Sequence, residues 1–499
     1  MGLHCEGYPP RFEFCEMMTV EGRRSPEDTT RGRNSVASPQ FILAESSSNF
    51  STVPQHQTTA SADPTSPSPE DTPPGLYQSE FTIASFAFAI PIFTPPDWLR
   101  ILPYWEAQPP PRYNHESFEI TNIAVDQVLS GHLAVDIEGT DNPFKKHVLP
   151  LIYRHQGVLH ALLGLSACHM HISGKNESQH YATISLKYRL SALHSLGTFL
   201  QQEEVSALTT SEEEYVLGIV LLLVLHDICE TGISSHGAHL TGVSFLCKRL
   251  ACPADFSVRS KASMFFISAL SWLDMLRGFS GAEKLAYSED IRKCVRDHAS
   301  LSLHTLIGCP PLIFHRVGQV LESGKSYLAG ELSLEQFEQR LAAAEKFFRG
   351  WDPDQTIYPS GHCEWRHLAE AYRHACLLRI LRFPDAFSIS CDDPRIKASV
   401  TAILDVAAAI LRDTVFYKRL LFPLFLAGAD TSSPHQMHYA SWCIGEIKHA
   451  TGFQHPAMTD ILTRVWEERH TNRNGLSNVP WMEFTCSEML SPQHAYLFF

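Results

Sequence analysis

The stretch SEEEYVLGIVLLLVL, residues 211–225, decides how the rest of the chain is read. Ser211 stands before three glutamates, Glu212, Glu213 and Glu214. Carboxylates there favour the positive end of a helix dipole, and a serine with a glutamate three residues on has capping-box spacing. The apolar run that follows, Tyr215 to Leu225, is far shorter than the roughly 20 residues needed to cross a bilayer. It reads as a helix buried inside a protein, with Ser211 as its cap.

Working outward, apolar residues recur every three or four positions from Val125 onward. Asn142-Pro143 reads as a cap followed by proline in the first turn, where its missing N–H costs nothing. Phe144, Val148, Leu149 and Ile152 then trace one face, and a second run from Gly157 to Ile172 ends near Ser173-Gly174. Further helices are expected over 181–200, 239–250, 261–276, 311–328, 334–348, 364–381, 394–412, 416–428, 434–449 and 456–470. Little room is left for a sheet. Gly218 and Gly237-Ala238 mark close approaches of helices, whereas Gly174, Gly232, Gly350 and Gly428 read as ends or turns. No fixed period of solenoid type recurs.

Upstream the chain changes character. Residues 25–75 are rich in Ser, Thr and Pro and too poor in large apolar groups to offset the entropy of ordering. Ser25-Pro26, Ser66-Pro67 and Ser68-Pro69 have phosphorylation-type spacing that any such linker yields by composition. The apolar patch from Phe81 to Phe93 is broken by Pro91 and followed by Pro95-Pro96, so it reads as extended chain. The expected fold is all-α: a large irregular helical domain over 115–499, preceded by a disordered or irregular Ser/Thr/Pro-rich linker over 16–114.

Charge limits function. The 499 residues carry 40 Lys+Arg against 54 Asp+Glu, a formal net charge of -14, and no Lys/Arg-rich run. A phosphate backbone is repelled by such a chain unless positive charge is gathered in one segment. The 13 cysteines lack a repeating close spacing, and no signal-peptide pattern opens the chain, which together point to a reduced intracellular protein without a membrane partner.

Twenty-six histidines require a search for chemistry. Cys168, His169 and His171 cluster in sequence, but on a helix His169 and His171 lie about 200° apart. Glu364-x-x-His367 has the spacing of half a di-iron site, without the second such motif. His226-Asp227 and Cys363-Glu364 are adjacent only along the chain, and adjacent helical residues do not face one another. Asp274, His374 and Cys376 form a set that only folding can bring together. Dinucleotide, phosphate-loop and nucleophile-elbow motifs are missing. No catalytic or cofactor residue is therefore assigned. A hydrophobic small-molecule effector is a candidate occupant of a helical cavity walled by Phe265, Phe266, Trp272, Trp365 and Tyr372.

Several phrases resemble the regulatory domain of fungal-specific transcription factors, the class normally found behind a binuclear zinc cluster. They are Asn142-Pro143-Phe144 with residues 148–151, the run from Leu159 to Ala167, and Gly308-Cys309-Pro310. Residues 371–378, residues 421–428, Trp466 and Trp481 follow in the same order. The N-terminal GLHCEGYPPRF, residues 2–12, is similar to the edge of such a cluster, and the resemblance puts Cys5 where the sixth zinc ligand would stand. Residues 1–15 are then a remnant of that edge. Cys15 cannot replace the missing close-spaced pairs, and two zinc ions need six thiolates.

The resemblance implies a nuclear regulator of transcription by RNA polymerase II, serving metabolic or secondary-metabolite genes. DNA is a partner only if an upstream cluster exists, and zinc a cofactor only then. Either the sequence begins late or the regulatory domain acts alone, with the transcription machinery or a related regulator as partner. Two alternatives stand beside this: an enzyme acting on a hydrophobic biosynthetic intermediate through His226, Asp227, His374 or Glu364, and a zinc-free corepressor.

Overall fold

In a computed structural model, the described residues are 132–174, 178–234, 237–251, 260–298, 302–471, 475–485 and 495–496. The expectations for residues 1–131, including the remnant, the linker, Cys5 and the patch from Phe81 to Phe93, lie outside them.

The first helices form as their caps dictate. Asn142 Oδ1 accepts the N–H groups of Phe144 (2.9 Å) and Lys145 (3.2 Å), opening α1 (Pro143–His147), and α2 (Leu149–Ile152) follows directly. The helix α3 (Gln156–Ile172) ends at Gly174, whose φ of 72° lies in the left-handed region that glycine tolerates. Next come α4 (Ser178–Val205), extending the expected helix at both ends, and α5 (Thr210–Glu230).

The cap of α5 differs from the expectation. Thr209, not Ser211, accepts the N–H of Glu212, while the Glu212 carboxylate reaches back to the Thr209 N–H (2.8 Å). Both Thr209-x-x-Glu212 and Ser211-x-x-Glu214 satisfy capping-box spacing. The tie breaks in favour of the earlier pair because Glu214 is taken by Ser260 and Ser263, the latter donating at 2.9 Å. From Val216 to Cys229 every residue of α5 is buried. No helix among the described residues is long and apolar enough to cross a membrane.

After α5 come β1 (Ile233–Ser234), α6 (Gly237–Gly242), α7 (Ser244–Ala251) and α8 (Lys261–Ser280). Gly237 and Ala238 open α6, and their surroundings lie outside the described residues. Two helices absent from the sequence expectation follow: α9 (Glu289–His298) and α10 (Ser302–Ile307). The remainder are α11 (Pro311–Leu328), α12 (Leu334–Gly350), α13 (Glu364–Leu381), α14 (Pro394–Ala409), α15 (Leu421–Asp430), α16 (Pro434–Thr451) and α17 (Pro456–Thr471). The turn expected to continue α14 to Arg412 leaves the helix at Ile410, which is extended, and 417–420 forms a 3-10 turn before α15. A two-residue antiparallel pair, β1 with β2 (Ala495–Tyr496), aligns Ile233 with Tyr496. The fold is a large, irregular, mostly helical domain, as the apolar periodicity indicated.

Three helices buried on nearly all sides organise the core. In α8 every residue from Ser263 to Ser280 is buried, and all of α15 is buried. Such all-round apolar helices need neighbours on every face. Gly218 lies where α5 meets α8, but a Cβ there would meet Phe266 at 3.5 Å, an ordinary contact, so the approach does not depend on the glycine. On the other side of α8, Phe279 and Trp272 pack edge-on against Phe422 of α15, with ring centroids 4.9 and 6.0 Å apart. Gly428, expected at a helix end, instead lies inside α15, where a Cβ would stand 3.3 Å from Ala440 Cβ. Burying each large apolar side chain on these faces is worth about 1.5–3 kcal/mol.

Candidate functional site

Residues singled out by spacing fold into packing roles. Cys168, His169 and His171 point to different neighbours, as the helical angles require. His169 Nε2 meets the Thr451 carbonyl at 2.7 Å, and its ring stacks near His132 and Phe453. Cys168 turns toward α5, where Cys229 and His226 adjoin it; the Cys229 hydrogen bond, aided by His226, brings the Cys168 thiol down to about 6. Burial pushes the Cys229 thiol well up. His171 sits at the partly exposed end of α3.

The same seam between α3, α4 and α5 holds His226 and Asp227, which face different partners. Ser185 Oγ lies 3.2 Å from His226 Nε2 and donates to the Gly164 carbonyl at 3.1 Å. Asp227 accepts from Arg189 (2.7 Å) and from Ser234 Oγ (2.8 Å). Both His226 and Asp227 are buried, as are Cys168 and Cys229. The arrangement is a buried polar network that ties three helices together, in which His226 Nδ1 has no hydrogen-bond partner among the described residues.

Asp274, His374 and Cys376 have separate partners. Asp274 accepts the N–H groups of Ala286 (3.0 Å) and Tyr287 (2.9 Å), fixing the loop before α9, and burial raises its carboxyl. Burial, then Arg373, lowers His374 to about 4. Burial drives the Cys376 thiol up. Glu364 opens α13 beside Cys363, whose sulfur stands 3.7 Å from it, and His367 lies a turn further on. Among the described residues, no group of three or more His, Cys, Asp and Glu is placed to hold a metal ion.

The aromatics proposed as cavity walls are core packing instead. Phe265 meets Phe144 and Phe266, each at 5.2 Å, and Trp272 meets Tyr372 at 5.6 Å. Trp365 packs against Phe416 at 4.8 Å while its Nε1 donates to Ser360. Tyr372 donates its hydroxyl to the Arg419 carbonyl at 3.2 Å. Aromatic spacing along helices cannot tell a wall from a plug; in the structure these rings pack against neighbouring aromatics.

Concave surfaces occur elsewhere. One groove of about 480 Å³ lies between α11, α12 and the start of α9, with Glu289, Arg316, Gln319, Glu322, Ser323 and Arg340 among its lining. A smaller one, about 250 Å³, opens where α14, α15 and α16 meet, near Lys397, Asp430 and Gln436. Its Asp430 is already held by Arg382 at 2.7 Å, both side chains being buried.

The fungal specific transcription factor domain matches residues 125–499. The chain belongs to that family. No curated protein and no solved structure matches it. The phrases that carried the resemblance coincide with the core of this fungal transcription factor domain. Leu159 to Ala167 fill α3, the run 371–378 lies in α13, and 421–428 is the buried α15. Trp466 donates Nε1 to the Gly428 carbonyl at 2.9 Å, and Trp481 packs edge-on against Phe425 at 5.0 Å. The C-terminal tryptophan pair thus contacts α15 within one turn of that helix. Groove residues Arg316 and Arg340 escaped the sequence reading because an arginine on a helix face is ordinarily a solvated charge.

Proposed function

We propose that this chain is a regulator of transcription whose helical body is the regulatory element, acting in the nucleus on metabolic or secondary-metabolite genes. The observation that carries the reading is the family match over 125–499. The burial of the family landmarks supports it, because the match falls on the residues that build the core. A net charge of -14 without a basic run supports a division of labour, in which DNA is read by a zinc-held module and this body receives signals or partners. The reading is non-enzymatic: His226 contacts Ser185, Asp227 accepts from Arg189 and Ser234, and His374 meets Arg373, so these residues face separate partners rather than one another.

The test joins the full 499-residue chain to an unrelated DNA-binding module and measures a reporter carrying that module's site. A severalfold change in output, up or down, is expected relative to the module alone. Output equal to the module alone, with the fusion present in the nucleus, refutes the reading. On a short duplex the unfused chain should give no salt-dependent shift at nanomolar protein. A shift would overturn the division of labour while leaving the reporter result to decide regulation.

A further inference from the structure

Two arginines face the groove between α11 and α12 without a carboxylate partner. Arg316 Nη1 donates to Gln319 Oε1 at 2.9 Å, and Arg340 Nη1 donates to Ser323 Oγ at 3.2 Å. These neutral anchors are four residues, about one turn, apart on α11, and they bring both guanidiniums into the same groove. Arg316 lies over the Phe347 ring at 5.7 Å, and its Nε is buried with no hydrogen-bond partner. Stacking on an aromatic face fixes a guanidinium while leaving its donor edge available.

The acids in the same lining are engaged elsewhere. Glu322 accepts from Arg292 at 2.7 Å. Glu289 meets His315 at 2.8 Å, Arg292 at 3.5 Å and Gln319 Nε2 at 3.1 Å. Arg292 is 1% exposed, wedged between the two carboxylates. The lining itself carries two arginines and two glutamates, and the buried Arg292 behind it compensates the two acids, which leaves Arg316 and Arg340 without a carboxylate of their own among the described residues. Val320 and Ala343 supply the apolar part of the lining, and the volume of about 480 Å³ suits a small metabolite.

We infer that this groove binds a small dicarboxylate, one carboxylate on each of Arg316 and Arg340 with a short methylene chain across Val320 and Ala343. Guanidinium forks match carboxylates in shape and charge, and two of them in one groove select a ligand with a carboxylate at each end. The effector class is thus doubly anionic rather than the hydrophobic molecule the sequence suggested. Binding does not rest on the transcriptional reading, because it is measured on the purified chain and the reporter is measured separately.

The test is calorimetric titration of the full chain with glutarate, butyrate, glutaramide and inorganic phosphate. Glutarate should saturate one site, butyrate should bind about tenfold more weakly, and glutaramide should give no heat. Arg340→Gln, at an exposed position that leaves the unfolding midpoint unchanged, should weaken glutarate about tenfold while barely changing butyrate. Arg316→Gln with Arg340→Gln should abolish glutarate binding. The inference is overturned by any of four results: no glutarate binding at millimolar ligand, butyrate as tight as glutarate, phosphate tighter than glutarate, or unchanged binding in Arg340→Gln.

Discussion

Replacing His304 with leucine should stabilise this protein, and more so in acid. His304 lies in α10, is 1% exposed, and packs edge-on against Tyr358 at 5.6 Å and Trp365 at 6.5 Å. Both ring nitrogens are buried without a hydrogen-bond partner. Each such unsatisfied group costs about 1–3 kcal/mol, whereas leucine has similar bulk and nothing to satisfy. Allowing for imperfect repacking, the gain near neutral pH should be about 1–2 kcal/mol.

The acid limb adds a second component. Burial lowers the folded His304 pKa to about 4, against an ordinary 6.5. Below pH 6.5 the unfolded chain takes up a proton at this site that the folded chain refuses. Stability from the neutral ring is therefore complete above 6.5 and is lost as pH falls toward about 4. At about pH 5 the loss is about 2 kcal/mol, which leucine escapes. Urea unfolding followed by helical circular dichroism, on both proteins at neutral pH and at about pH 5, reads both effects. A variant less stable than the parent at neutral pH refutes the unsatisfied-ring argument, and an identical gap at the two pH values refutes the protonation argument.

The other expectations concern stability. Thr209→Ala should cost about 1 kcal/mol and Ser211→Ala less than half of that, by thermal or urea unfolding; equal losses would return the cap to Ser211. Asp430→Asn leaves the buried Arg382 guanidinium uncompensated, so a loss of about 3–5 kcal/mol is expected, and a loss below about 1 kcal/mol would show the pair to be dispensable. Gly308→Ala combines a φ of 83° with a Cβ 2.5 Å from Leu368 Cδ1, while Gly330→Ala has a φ of 75° and open space. The first should therefore destabilise by clearly more than the second's roughly 1 kcal/mol, and equal midpoints would contradict the clash.

Much of the helical body was legible because its helices bury wide apolar faces. The run from Tyr215 to Leu225 announced a core helix, and Asn142-Pro143 announced a helix start that the Oδ1 contacts bear out. The helix α9 was hidden because EDIRKCVRDH exposes charge at most positions and buries only Ile291, Cys294, Val295 and the atypical Arg292. Its neighbour α10 has just six residues, too short for periodicity to register. Gly428 misled because a glycine after an apolar run looks like a stop, whereas here it lies within α15, where a Cβ would sit a tight 3.3 Å from Ala440. The groove was illegible for a different reason: Arg316 and Arg340 are 24 positions apart on separate helices, and only the α11–α12 packing sets them side by side. What their sequence lacked was any sign of which arginines would find acids and which would not.

Arg469 near the end of α17 gives the domain a further property. Its guanidinium donates to the carbonyls of Ala429 (2.7 Å), Thr431 (2.7 Å) and Val479 (3.1 Å). Asn478, within the same reach, donates in turn to the Ala386 carbonyl at 2.8 Å. One cation therefore rivets the segment 475–485 to the C-terminal end of α15. For anyone engineering chimeras, a junction placed just after Thr471 would sever this rivet and strip the Trp481 plug from Phe425. Splices should respect everything through Thr485, which belongs to the interior architecture rather than to a trailing end.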